Sequence, residues 1–456
     1  MMKNIFTYIL LISSIASAQN TIKGVINPKL DSNWVILYKI EGTKQQYIKD
    51  TKTKIDSIVI KGEKTGVAHF EFELPSYAKP GTYRINYRIE GEGNLDFIYN
   101  KENVSLVFNP DYPEDSVIFT ESIENNLYKE YLEKISVAQQ KLDSIQIETL
   151  QKPVLFSQEN YKTALDNVNS VQQHYQQITK DKYINSFINA SARKNNPELL
   201  TSAKQYMSNM KNMFFDNIDF SDKALVNSSF LINKTLEFIF YINYSDDKNT
   251  QQNLYKESIE KVLSNIKDIN YKKDIIEFLI LQFEASKNLE IIDYLFENYY
   301  NKLPITVQDA NFKEEKLSLL AAEVGRIAPD FSWKENGKTL KLSTLNDAET
   351  YVMVFWSTSC PHCLREIPKL HTYMKDKKDI KVIGFALEKD AFAWESYIKT
   401  NLSGWHNVLG LNKWKNKTAR TYQVFSTPSY FILDKNKKII AKPHEIKDVK
   451  EFLENK

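Results

Sequence analysis

Three patterns of apolar and polar positions follow one another along the chain. From residue 19 to 120, short apolar runs recur at Trp34–Ile40, Ile55–Ile60, Val67–Leu74, Tyr83–Ile89, Leu95–Tyr99 and Val104–Phe108. Several alternate strictly, as in Ala68-His69-Phe70-Glu71-Phe72-Glu73-Leu74. A period of two is the mark of a strand with one buried face. Short strands separated by glycine and proline predict an all-β sandwich leader, antiparallel, with one face of each sheet in water.

From 121 to 322 the period changes. Tyr255, Ile259, Val262, Leu263, Ile266 and Ile269 fall on one face of a helix. This region has no glycine and three prolines, Pro153, Pro197 and Pro304. Both residue types are poorly tolerated inside helices. An all-α middle of six to nine helices is expected, with its many aromatics, such as Phe238, Phe240 and Tyr241, serving as core. From 323 to 456 strands and helices alternate. Tyr351–Trp356 and Lys381–Ala386 read as buried strands. Pro361–Lys375, Phe392–Lys399, Trp414–Tyr422 and Glu445–Asn455 read as helices, and a hairpin turns at Asp434-Lys435-Asn436. That alternation predicts a C-terminal α/β domain.

Length agrees with this multidomain reading, since 456 residues make about three domains at ~150 each. Lys plus Arg number 60 and Asp plus Glu 58, a net of +2, without the basic footprint of a nucleic-acid binder. The N-terminus adds an address. Met1-Met2-Lys3-Asn4 precedes an apolar stretch, Ile5–Ile15, and Ala16-Ser17-Ala18 supplies small residues before Gln19. Residues 1–18 thus have the layout of a cleaved secretory signal. The stretch is shorter than the ~20 residues needed to span a bilayer, and no cysteine follows the cut to carry a lipid. An exported, periplasmic protein, soluble after processing, is expected.

The chemistry lies in the only two cysteines, Cys360 and Cys363. They follow a buried strand and open a helix. There the unpaired N–H groups and the helix dipole favour a thiolate on the first sulfur. The second sulfur lies one turn on, able to close a disulfide. Cys360 is therefore expected to attack a substrate disulfide and Cys363 to resolve the mixed disulfide. Pro361 suits the first helical turn, which has no use for its missing N–H. His362 is expected to add positive charge near Cys360. Zinc would need two further ligands, and the six histidines offer no matching spacing. Haem attachment would need histidine where Leu364 stands. A purely structural disulfide stays open, although so short a loop stabilises little. No metal and no cofactor beyond a redox-active Cys360–Cys363 disulfide is expected.

Residues 325–456 resemble the thioredoxin superfamily, in its exported TlpA/ResA-like branch. The resemblance rests on Ala328-Pro329-Asp330-Phe331, on Phe355-Trp356-Ser357-Thr358-Ser359-Cys360-Pro361-His362-Cys363, on Glu366 and Pro368, and on Tyr422-Gln423-Val424 with Thr427-Pro428. It implies a thioredoxin fold and a cis peptide at Thr427–Pro428 beside the redox pair. It also implies a substrate surface of Trp356, Pro361, Thr427 and Pro428. Cytosolic thioredoxins carry an aspartate six residues before the first cysteine, where this chain has Val354. The branch instead places a glutamate three residues after the second, and Glu366 matches. One helical turn from Cys363, it is expected to take that thiol's proton. The alternative is a solvated charge paired with Arg365 or Lys369.

The Pro-His dipeptide between the cysteines resembles that of oxidising proteins of the DsbA type, while the branch is mostly reducing. The expected function is periplasmic thiol–disulfide exchange, leaning to reductase or isomerase. Its partners would be protein disulfides and dithiols, with a membrane thiol reductant as electron donor and no nucleic acid. The β segment faintly resembles the leader domain of such proteins. An envelope scaffold whose thioredoxin domain is secondary is the competing reading. A peroxidase of the P-x-x-x-T-x-x-C type fits poorly, since Met353 and Ser357 stand at its proline and threonine places.

Overall fold

The computed structural model describes residues 20–30, 34–60, 63–88, 93–152 and 157–456. Residues 1–18, expected to be a signal, and Pro153 lie outside the described residues. The chain divides into two compact units, one ending at Leu303 and the other beginning at Pro304.

The first unit opens with nine strands. They are β1 (Asn20–Ile26), β2 (Trp34–Glu41), β3 (Lys44–Lys52), β4 (Lys54–Ile60), β5 (Glu63–Leu74), β6 (Gly81–Asn86), β7 (Asn94–Tyr99), β8 (Val104–Phe108) and β9 (Ile118–Glu121). They form two sheets, ordered β4-β5-β1-β8-β9 and β3-β2-β6-β7. Ile22, Phe70, Phe72 and Leu106 of one sheet meet Val35, Leu37, Ile85 and Phe97 of the other in a shared core. This is the sandwich expected, with one difference: β1 and β8 pair in parallel.

Ten α-helical segments follow among the described residues, from Ile123–Gln151 to Ala310–Leu320, joined by a π-helical turn at Glu237–Ile242. The β and helical segments belong to one unit, although they were expected as separate domains. The side chain of Asn125, in the first turn of the long helix, accepts from Ile98 N–H (2.8 Å) and donates to Ile98 carbonyl (2.6 Å) of β7. The apolar face read as one helix from Tyr255 to Ile269 is two helices, Lys248–Asn265 and Ile269–Ala285. Asp268 caps the second by accepting from Tyr271 N–H at 2.8 Å, which ends the first. The helix Ala310–Leu320 groups with the second unit, so the division falls before residue 304 rather than at 322.

The second unit begins, after that helix, with a hairpin of β10 (Ser332–Glu335) and β11 (Lys338–Lys341). Its sheet comprises β12 (Thr350–Trp356), β13 (Ile380–Glu388), β14 (His406–Leu411), β15 (Ser429–Asp434) and β16 (Ile439–Ala441), in the order β14-β13-β12-β15-β16. β12 pairs in parallel with β13 and antiparallel with β15. All seven of its residues are buried, as a central strand covered on both faces requires. Tyr351, Met353 and Phe355 face one apolar cluster with Phe331, Phe385 and Tyr422. Val352, Val354 and Trp356 face the other, with Cys363, Ile367 and Leu370 of the helix Pro361–Met374 and Val449 of the helix Ile446–Glu454. The helix expected at Trp414–Tyr422 is broken. Lys413–Lys415 forms a 3₁₀ turn and Lys417–Thr421 a short helix capped by Asn416.

Gly410 of β14 is a point of close approach. A Cβ there would overlap the buried Phe385 ring and come within 3.0 Å of the Ala386 carbonyl. Phe385 in turn packs on Phe355, with ring centroids 4.9 Å apart. Gly410→Ala is expected to destabilise the second unit by about 1–3 kcal/mol, as overpacking does. Urea unfolding of the variant against the parent checks this.

Candidate functional site

β12 ends at Trp356, and the loop 357–359 turns the chain into the helix Pro361–Met374. Three contacts hold that loop. Thr358 N–H donates to the buried Glu388 carboxylate at 2.5 Å, Ser357 and Ser359 hydroxyls lie 2.9 Å apart, and Lys413 Nζ donates to Ser359 Oγ at 2.9 Å.

Cys360 is the N-cap of the helix and Pro361 its first residue. Cys363 N–H donates to Cys360 Sγ at 3.1 Å, so the sulfur takes the place of a capping oxygen. Cys360 Sγ also reaches the Thr427 carbonyl at 3.4 Å. The Thr427–Pro428 peptide is cis. Both cysteines are free thiols, Cys360 partly exposed and Cys363 fully buried.

The two sulfurs are pushed apart electrostatically. Burial acts to raise the Cys360 thiol. Hydrogen bonds from the Cys363 thiol and backbone N–H, from Thr427 and from the His362 N–H outweigh it, and Cys360 lies below the ordinary thiol value. Burial, followed by the hydrogen bond to Cys360, pushes Cys363 upward. The outer sulfur is thus favoured as a thiolate and the inner one as a protonated thiol, the division of labour that disulfide exchange needs.

The structure brings Cys360, Cys363, Pro361, Thr427 and Pro428 together. His362 acts on Cys360 through its backbone N–H rather than through its ring, which is exposed. Trp356 departs from expectation. Expected at the substrate surface, it is completely buried, its ring 5.3 Å from that of Tyr397, because the whole of β12 is interior. It supports the site from below. Glu366 is paired with Lys369, one of its expected partners, but it is buried rather than solvated. It is 8% exposed, facing inward with Cys363, yet Lys369 Nζ donates to its Oε1 at 3.1 Å.

Several residues were not anticipated. Glu388 and Lys413 hold the loop from elements distant in sequence, and nothing local marks them. Trp414 and Phe425, 49% and 82% exposed, border a groove with Arg420, Gln423 and Val424. Phe425, two residues before Thr427, had a readable signal: a large apolar side chain beside the Thr-Pro turn.

Alkylation follows from these environments. Below the ~8.5 of an ordinary thiol, iodoacetamide is expected to modify Cys360 faster than it modifies a free cysteine at the same pH. Cys363 is expected to stay unmodified through neutral pH. Peptide mapping after timed alkylation checks both.

Comparison with known proteins places this unit. Residues 324–442 match the AhpC/TSA family. The thiol-disulfide oxidoreductase ResA of Bacillus thuringiensis is 29% identical over 131 residues, covering 28% of this chain and 70% of that protein. A solved thiol-disulfide oxidoreductase from Bacteroides fragilis is 26% identical, covers 28% of this chain and 98% of its own, and has a TM-score of 0.26. The CRISPR-associated endoribonuclease Cas13a of Leptotrichia shahii is 23% identical over 298 residues, 60% of this chain, and the chain spans 19% of that protein's length. The C-terminal part of this chain is a thioredoxin-family domain of the AhpC/TSA family.

Proposed function

We propose that this protein is an exported thiol–disulfide oxidoreductase acting on envelope proteins in the periplasm, leaning to reductase or isomerase. The observation that carries this reading is the unequal pair: Cys360 partly exposed and capped by the Cys363 N–H at 3.1 Å, and Cys363 fully buried. Cys360 attacks a client disulfide. One client sulfur bonds to Cys360 and the other leaves as a thiolate. Cys363 then gives up its proton and attacks Cys360. The second client sulfur departs, the Cys360–Cys363 disulfide forms, and the client disulfide has been reduced by two electrons.

The Thr427 backbone beside Cys360 suits an extended client segment added as a strand. Phe425 and Trp414 offer that segment an apolar contact. Glu366, buried one turn beyond Cys363, is the proton acceptor for the resolving thiol. Export rests on the signal layout of residues 1–18, and the electrons for the next cycle come from a membrane thiol reductant. The first unit contains no cysteine. It therefore serves by recruiting clients or by assembly, not by relaying thiols.

Two measurements decide the reading. The full chain carrying Cys363→Ala is expressed in the periplasm and its mixed disulfides are identified. It is expected to accumulate clients or a membrane reductant on Cys360, whereas capture of nothing favours the scaffold reading. The Cys360–Cys363 couple is expected on the reducing side, nearer the ~−270 mV of thioredoxin than the ~−120 mV of DsbA. A potential above about −150 mV overturns the reductase assignment.

A further inference from the structure

Beside the outer cysteine runs a groove whose two walls are both tied to it. The groove, about 450 Å³, is lined by Trp414, Arg420, Gln423, Val424 and Phe425. On one side Trp414 follows Lys413, whose Nζ donates to Ser359 Oγ at 2.9 Å, one residue before Cys360. On the other, Phe425 comes two positions before Thr427, whose carbonyl lies 3.4 Å from Cys360 Sγ. Two residues of chain span at most about 7 Å. A client strand laid along Thr427 therefore passes the groove within about two residues of its own cysteine.

The chemistry of the walls has two parts. Trp414 and Phe425 are large apolar side chains left exposed. The rest is cationic. Residues 411–428 contain Lys413, Lys415, Lys417 and Arg420 and no Asp or Glu, in a chain whose charges otherwise nearly balance. Lys415, Lys417 and Arg420 are exposed, and none of the four cations is in an ion pair among the described residues. Arg420 Nε donates to the Trp414 carbonyl at 3.3 Å, which holds the guanidinium at the groove and leaves its other N–H groups to a ligand. Glu388, the carboxylate that holds the redox loop, is buried and committed to Thr358 N–H.

The walls are also fixed in conformation. Asn412, Lys413 and Gln423 have φ of +71°, +44° and +52°. Such backbone is costly outside glycine and concentrates at functional sites.

We propose that this groove selects the client: it takes an extended segment of a client protein in which an apolar side chain and a carboxylate flank the reacting cysteine. The apolar side chain enters between Trp414 and Phe425, and the carboxylate pairs with Arg420 within the field of the three lysines. The same cations offset the repulsion between an acidic client and the Cys360 thiolate. Exposed cations alone would attract any anion, and the aromatic walls alone any apolar chain. Joined in one groove, they require both features in one strand. This inference rests on the oxidoreductase reading above and names its substrate class.

The test uses the reduced full chain and three single-cysteine peptides of one length, each with its cysteine as the mixed disulfide with thiopyridine. One is flanked by Asp and Phe, one by Lys and Phe, one by Asp and Ser. Release of pyridinethione is followed, and each rate is divided by that of the same peptide with mercaptoethanol. The Asp-Phe peptide is expected to react about 10-fold faster than either of the others at low salt. Its advantage over Lys-Phe should largely vanish at ~1 M salt, where the screening length falls to ~3 Å, while its advantage over Asp-Ser persists. Arg420→Gln should lower the first ratio about threefold and Phe425→Ala the second. Ratios taken within one variant do not depend on how much of it is folded. Equal rates for the three peptides, a preference for Lys-Phe, or ratios that neither variant moves overturn the selectivity. No reaction of the parent with dithiodipyridine, which has no flanking residues, overturns the thiol-exchange reading itself, and the selectivity with it.

Discussion

The contact on which the second unit's chemistry depends is the Cys363 N–H aimed at Cys360 Sγ, 3.1 Å away. It is a helix cap in which sulfur replaces oxygen. A cap is worth about 1 kcal/mol to a helix, and here the same geometry stabilises negative charge on the capping atom. Folding the helix and activating the nucleophile are one act. The contact exists only because β12, buried along its whole length, fixes where the loop begins. Glu388, from the neighbouring strand β13, fixes where it turns, through Thr358.

The sulfur pair was legible in the sequence because its chemistry is local. Cysteine spacing, the preceding apolar run and Pro361 all sit within the thirteen residues Tyr351–Cys363. Strands with strict alternation, such as Val67–Leu74, were legible for the same reason. Strand β3, Lys44-Gln45-Gln46-Tyr47-Ile48-Lys49-Asp50-Thr51-Lys52, was not. It is exposed along most of its length, so burial never imposed a pattern on it. β14 escaped notice because Gly410 interrupts a six-residue strand. The parallel pairing of β1 with β8 joins residues about eighty apart, and period-two alternation carries no sign of strand direction.

Trp356 was misplaced for a related reason. Trp356 adjoins the cysteines in sequence and so suggests the surface. Its side chain is directed by the pleat of β12, which points Val352, Val354 and Trp356 under the helix. Sequence proximity overstated its exposure; the burial of the whole of β12, which the cysteine motif does not encode, decided it.

The full burial of Cys363 beneath a partly exposed Cys360 has a kinetic consequence. The protein offers a single sulfur to the outside and can hold one pair of electrons at a time. Under the proposed function, a client and an electron donor must visit the same small patch of surface, in turn, and neither can approach while the other is bound. Turnover then takes the form of a substituted-enzyme cycle. Excess of either partner competes with the other for the form it cannot use, and throughput depends on how quickly each leaves as much as on how quickly it reacts.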